Sequence, residues 1–199
     1  MAIIVDKDEK RRSIALACRN LLLEHGIRNL TVSQIARTAG VGKGTIYEYF
    51  GTKEEIVFAI METIIDEVSE KLDAIKVLPI SAREKLFRFG MMPFEEECTD
   101  QYLTVFREFL GISLMELPAE MLHFSEQVRG KFRTMIGQIM DEASRREELI
   151  RGISIPAGTV LTFWVGLVVD SRMKDFDVAE ELNAFLDLIF DQKLSGEFR

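Results

Sequence analysis

Apolar residues recur along this chain at intervals of three and four with polar residues between them, and strand-like alternation nowhere persists. That periodicity predicts helix nearly throughout. Ile14, Cys18, Leu21 and Leu22 mark the inward face of a first helix ending near Gly26. A second is predicted from about Val32 to Ala39, with Ile35 and Ala36 inward, and a third from about Lys43 to Tyr49, with Ile46 inward and Phe50 closing it. The fourth begins after Thr52 and continues past Ile56, Ile60 and Ile64 towards Lys76. Beyond Pro79, longer amphipathic helices are predicted at about 81–94, 100–115, 119–147, 155–173 and 177–193. Thr31 with Gln34, Thr52 with Glu55 and Ser81 with Glu84 have capping-box spacing, in which side chains satisfy the unpaired amides of a helix start. The expected fold is all-α, with about nine helices in two parts: a head over 1–52 and a body over 53–199.

The two short helices joined by "AGVGK" read as a helix-turn-helix. Gly40 relaxes the steric limits of the turn, and Val41 tucks between the helices. Seven residues do not hold a helix by propensity alone, so Ile35, Ile46 and Phe50 must fix the third helix by packing. That leaves its polar side, with Lys43, Thr45, Tyr47, Glu48 and Tyr49, free for a partner. Gly44 costs about 1 kcal/mol relative to alanine, a cost that close backbone approach to a DNA base or sugar would offset. Lys43 at the helix start can reach guanine O6/N7 in the major groove. Thr45, Tyr47 and Tyr49 can donate to phosphate oxygens, which fixes docking without reading sequence. Thr52 and Lys53 open the fourth helix, where free amides and the dipole favour phosphate, and Thr31 and Ser33 are placed similarly at the second.

The segment "LTVSQIARTAGVGKGTIYEYFGTKEEIV", with the upstream "RRSIALACRNLLLEHGIRNLT", resembles the DNA-binding region of TetR-type transcriptional repressors over about residues 10–60. The resemblance implies a cytoplasmic homodimer whose paired heads bind an inverted-repeat DNA operator and release it when a small molecule binds the body. Carried over position by position, the family's DNA contacts fall on Thr31, Ser33, Lys43, Gly44, Thr45, Tyr47, Tyr49 and Lys53. The chain departs from the pattern at Gly42, where serine or alanine is frequent, so capping of the third helix is weaker here. Glu48 places a negative charge near phosphates; it either accepts from a cytosine amine or points to solvent.

Charge sharpens the picture. Residues 1–53 hold nine Lys/Arg against five Asp/Glu, a net +4, leaving −12 for the remainder of a chain whose total is −8. A basic head on an acidic body suits a head that meets phosphates, whereas the overall charge argues against uniform affinity for nucleic acid or anionic membrane. The hydrophobic content of 47% and charged content of 29% are those of a folded chain. Two cysteines, Cys18 and Cys98, fit a reduced compartment rather than a disulfide scaffold. The start lacks the long apolar segment of a secretory signal, and the most apolar run, Ile153 to Val169, is short and interrupted for a membrane span, so a cytoplasmic location is expected.

In the body, Gly158, Thr162 and Gly166 recur every four residues, and Leu182, Phe185, Leu186 and Ile189 form an apolar stripe. Both serve either packing within one chain or a dimer face; two-fold pairing of heads on two half-sites favours the dimer. Twelve of the fourteen phenylalanines lie after residue 80, and such aromatic and methionine-rich segments form core or line an apolar effector pocket. The expected wall is Phe89, Met92, Phe106, Phe109, Met135 and Trp164. The acidic run Glu95, Glu96 and Glu97 attracts a cationic ligand or is a solvated face. His25 and His123 have no metal-ligand spacing with either cysteine, and no phosphate-cradling loop or nucleophile elbow is present. A regulator without metal or cofactor is therefore expected rather than an enzyme; the alternative is a helical module that recruits a protein partner.

Overall fold

The computed structural model describes residues 6–95, 100–115 and 119–191. Ten α-helices follow the apolar periodicity: α1 (Lys7–Ala17), α2 (Arg19–Asn29), α3 (Val32–Thr38), α4 (Lys43–Tyr49), α5 (Lys53–Lys76), α6 (Ala82–Met91), α7 (Asp100–Met115), α8 (Ala119–Arg145), α9 (Ala157–Asp170) and α10 (Val178–Asp187). A single 3₁₀ turn, Met92–Phe94, follows α6. Among the described residues no strand forms, only an isolated antiparallel bridge between Leu149 and Phe190. Cys98, Glu96 and Glu97 lie outside the described residues.

The tenth helix arises because the first expected helix is divided. The Cys18 N–H is shared between the carbonyls of Ile14 (3.2 Å) and Ala15 (3.1 Å), and the next turn restarts with Leu22 N–H on the Cys18 carbonyl at 3.1 Å. Gly26, the expected end, does leave helical geometry, with φ 74 and ψ 176, and one further turn runs to Asn29. Only glycine adopts that conformation readily.

The chain forms two compact units, one from described residues within Met1–Val68 and Asp100–Phe124, the other from those within Ser69–Thr99 and Ser125–Arg199. The boundary expected at 52/53 falls inside the first unit. Its core is Ile14, Cys18, Leu22, Leu30, Ile35, Ile46, Phe50, Ile56 and Ile60, each at most 2% exposed, so α1 to α5 close around one apolar centre. α7 packs along α2 and brings Phe109, which meets Phe124 edge-on at 5.7 Å, while Phe58 stacks on Phe124 at 5.1 Å.

The second unit packs α6, α8, α9 and α10 around Leu86, Ile136, Ile139, Val160, Leu182, Leu186, Ile189 and Phe190, each at most 1% exposed. α6 approaches so closely at Gly90 that a Cβ there would lie 2.7 Å from both Leu182 Cδ2 and Trp164 Nε1. Leu182, Leu186 and Ile189, expected on a dimer face, are fully enclosed by their own chain and present nothing to a second copy. Phe185 is half-buried and stacks on Phe163 at 4.0 Å. Charge is buried with them as well: Lys85, 2% exposed, donates to both carboxylate oxygens of Glu142 at 2.9 and 2.8 Å. Glu142 in turn pairs with Arg146 at 2.9 Å. Burying an ammonium requires such a partner, because its hydration is lost.

Candidate nucleic-acid interface

The helix-turn-helix is built from local rules. Thr31 caps α3 with a complete box: its hydroxyl accepts from the Gln34 N–H at 3.3 Å, and its own N–H donates to Gln34 Oε1 at 2.9 Å. α3 ends where the Ala39 N–H reaches the Ile35 carbonyl at 2.8 Å and the Val41 N–H reaches the Ala36 carbonyl at 3.0 Å. Gly40 carries the chain through the turn with φ 66, left-handed geometry that glycine adopts without penalty. Val41 is half-buried. Gly42 then opens α4 in an extended conformation with no side-chain cap, the weakness its lack of a side chain predicts.

α4 turns Ile46 (0% exposed) and the following Phe50 (1%) into the core. On its other side Lys43, Gly44, Tyr47 and Glu48 are exposed, with Thr45 and Tyr49 half-buried at the flanks. Tyr47 is 53% exposed, unusual for a ring that folding alone would cover. A Cβ on Gly44 would meet nothing within 4 Å, so the chain's own packing does not demand glycine there. Ser33 and Thr52 are exposed and Lys53 is half-buried.

Several of these groups already have partners. The Thr31 hydroxyl also donates to Gln34 Oε1 at 2.6 Å, so its hydrogen is committed and it cannot donate to a phosphate while the box stands. Thr52 Oγ1 accepts from the Glu55 N–H at 3.1 Å, which leaves its own hydrogen free of that bond, and the Glu55 carboxylate accepts from the Gly51 N–H at 3.0 Å. Lys53 Nζ donates to the Arg28 carbonyl at 3.2 Å.

The supports behind the interface were not legible in the sequence. Arg11, counted only as part of the basic head, donates to the Tyr49 carbonyl and lies over the Phe50 ring, 4.5 Å from its centroid. Glu108 on α7 accepts from the N–H groups of Ile27 (2.7 Å) and Arg28 (2.9 Å), closing the turn beyond Gly26. Arg19 joins Glu67 and Tyr102. Burial alone would lower the Arg19 pKa, but those two hydrogen bonds hold it above its ordinary value. Local patterning carries no signal for partners 38 to 83 residues away; only the residue types, long cations and a carboxylate, hinted at them.

The expected pocket residues divide between the units. Phe106 is half-buried and Phe109 buried in the first. Phe89, Met92, Met135 and Trp164 are all buried in the second, where Phe89 stacks on Trp164 at 4.4 Å and meets Phe132 edge-on at 6.3 Å. Trp164 Nε1 is buried without a hydrogen-bond partner among the described residues. On α9, the small-residue stripe is flanked by arginines: Arg129 donates to Thr162 Oγ1 at 3.4 Å, and a Cβ on Gly158 would lie 3.5 Å from Arg133 Nε. Glu95, the described member of the acidic run, is exposed. Among the described residues no group of three or more His, Cys, Asp or Glu is arranged to hold a metal, and no helix is long and apolar enough to cross a membrane.

The family model for bacterial regulatory proteins of the tetR family matches residues 14–60. Among curated relatives, the transcriptional regulator PksA of Bacillus subtilis is 28% identical over 95 residues, 47% of this chain and 46% of its own length. The match therefore spans less than half of that relative. Among solved structures, FadR from Bacillus subtilis in complex with stearoyl-CoA superposes with TM-score 0.64 at 21% identity, covering 88% of this chain and 95% of its own. A putative transcriptional regulator from Saccharomonospora viridis in complex with choline superposes with TM-score 0.73 at 17% identity, covering 93% and 100%. At those identities the superpositions establish the shared all-α fold. With the capped α3, the glycine turn and the half-exposed α4 lying inside the matched segment, residues 14–60 form a DNA-binding head of the tetR-family type.

Proposed function

We propose that this chain is a ligand-responsive repressor that binds a palindromic operator as a cytoplasmic homodimer and is released by a small, mainly apolar effector. The observation that carries the DNA reading is α4 itself: Ile46 and Phe50 are buried behind it while Lys43 and Tyr47 stand open on the other side. Lys43 is assigned to a guanine edge; Ser33, Thr45, Tyr47, Tyr49, Thr52 and Lys53 to backbone phosphates, with Gly44 allowing close approach. Thr31 acts through its cap on α3 rather than as a donor to DNA.

A second copy would be held through the outer face of α9 and α10, where Thr162, Val169 and Leu188 are exposed and Gly158, Gly166 and Phe185 are half-buried. The effector would meet Phe89, Met92, Met135 and Trp164, whose unpartnered indole N–H suits a ligand with one hydrogen-bond acceptor in an otherwise apolar body. α5 carries the coupling, since it starts beside Thr52 and extends to Lys76, with residues in both units. A coupling free energy of about 1–3 kcal/mol would change operator affinity about 5–150-fold.

The deciding experiment is selection of bound sequences from random duplexes. Recovery of a palindrome supports DNA recognition and two-fold pairing together, and a ligand screen for release of that duplex follows. Affinity no greater than for a polyanion control would refute the regulator reading and favour a protein-recruiting module.

A further inference from the structure

We propose that Arg11 is a positioning residue for operator recognition: it fixes the C-terminal end of α4 from behind instead of meeting a phosphate, as its place in the basic head would suggest. The inference rests on the reading of α4 as the DNA-facing helix and adds the group that holds it in place.

Three contacts converge on one guanidinium. Arg11 Nη1 donates to the carbonyl of Tyr49, the last residue of α4. Its Cζ lies 4.5 Å from the centroid of the Phe50 ring. The same nitrogen is 3.8 Å from Glu55 Oε2 on α5, a carboxylate that also accepts from the Gly51 N–H at 3.0 Å. One side chain of α1 thus joins the end of α4, the turn after it and the start of α5.

The physical need is specific. α4 has seven residues and no side-chain cap at its N-terminus, so little within the helix itself defines its orientation. Ile46 and Phe50 hold it to the core, yet apolar packing resists rotation about the helix axis less than directional bonds do. A cation at a helix C-terminus is favoured by the dipole. The guanidinium donates to a carbonyl, stays within ion-pair distance of a carboxylate and lies over an aromatic ring, a combination that a lysine ammonium does not reproduce. The Arg11 side chain is 33% exposed, with its contacts directed inward at the rear of α4.

The test measures affinity of the full chain for its selected duplex as a function of salt, together with amide hydrogen exchange in α4. Arg11→Ala is expected to weaken operator binding about tenfold, the size of one hydrogen bond to a charged group. Its salt slope should match the parent's, since no counterion-releasing contact is lost. Exchange of the α4 amides should accelerate, and Arg11→Lys should remain impaired because it keeps the charge without the fork. A slope lowered by about one unit, or full recovery by Arg11→Lys, would assign Arg11 to phosphate and overturn the proposal. Parental affinity and exchange in Arg11→Ala would overturn it equally. If Arg11→Ala does not fold, Arg11→Lys decides between the same outcomes. A parent without duplex preference would refute the regulator reading instead, and the exchange comparison would still decide whether Arg11 fixes α4.

Discussion

Truncating Glu108 to alanine removes the carboxylate whose two oxygens accept the Ile27 and Arg28 amide hydrogens at 2.7 and 2.9 Å. Hydrogen bonds to a charged acceptor contribute about 1.5–3 kcal/mol each, but the Arg28 amide is exposed and water replaces part of that, so Glu108→Ala should cost about 2 kcal/mol. Gly26→Ala attacks the same turn from the other side. Alanine at φ 74 is strained, by about 2 kcal/mol. Its Cβ would also lie 2.6 Å from Glu108 Oε2 and push the carboxylate off both amides. The single substitution should therefore cost about 4 kcal/mol, the strain plus the same two bonds. In the double variant the carboxylate is already gone, so the total stays near 4 rather than about 6 kcal/mol, a coupling of about 2 kcal/mol. Urea unfolding of the four proteins, followed by helical circular dichroism, measures this cycle. Additive losses would show that the Gly26 turn and the Glu108 grip are independent, and the reasoning would fail.

Lys43→Ala should relax base preference at one operator position at a cost of about 1–3 kcal/mol, whereas Lys53→Ala should weaken all sequences alike and lower the salt slope by about one unit; binding by selected and scrambled duplexes separates the two. Ile46→Ala, at a position with 0% exposure, should destabilise the chain by about 2–5 kcal/mol through the cavity it leaves behind α4, read as a lower urea midpoint. Burial pushes the Cys18 thiol up from 9.0 to about 11. The folded chain thus binds that proton more tightly than the unfolded chain, and the resulting stability, complete below the ordinary thiol pKa, should be lost as pH rises through about 11. In a Cys98→Ser background Cys18 should also resist thiol reagents at about pH 8 until urea exposes it; modification of the folded protein at the unfolded rate would contradict its burial.

The helices themselves were written in the chain. Capping at Thr31, the punctuation at Gly26 and Gly40, and the inward spacing of Ile35, Ile46 and Ile60 are local facts about residues a few positions apart, where backbone geometry allows few alternatives. For that reason α3 and α4, the open polar side of α4 and the sequence of long helices after Pro79 emerge from periodicity alone. Burial was less legible. Leu182, Leu186 and Ile189 have the spacing of an exposed association stripe and of a core stripe equally, since one helical period serves both. The packing of α6 on α10, with Gly90 lying closely against Leu182, is a tertiary fact that the spacing does not carry.

The amino-acid order by itself determined that this protein would be helical, that residues 32 to 49 would form a helix-turn-helix, and which side of α4 would remain polar. Tertiary structure decided which charged groups act as internal braces: Arg11 behind α4, Glu108 at the Gly26 turn, and Lys85 against Glu142 57 residues away. The division follows from the range of the forces. Hydrogen bonding within a helix turn links neighbours in sequence, whereas the partner of a buried or half-buried charge is set by where the packed helices bring distant side chains together.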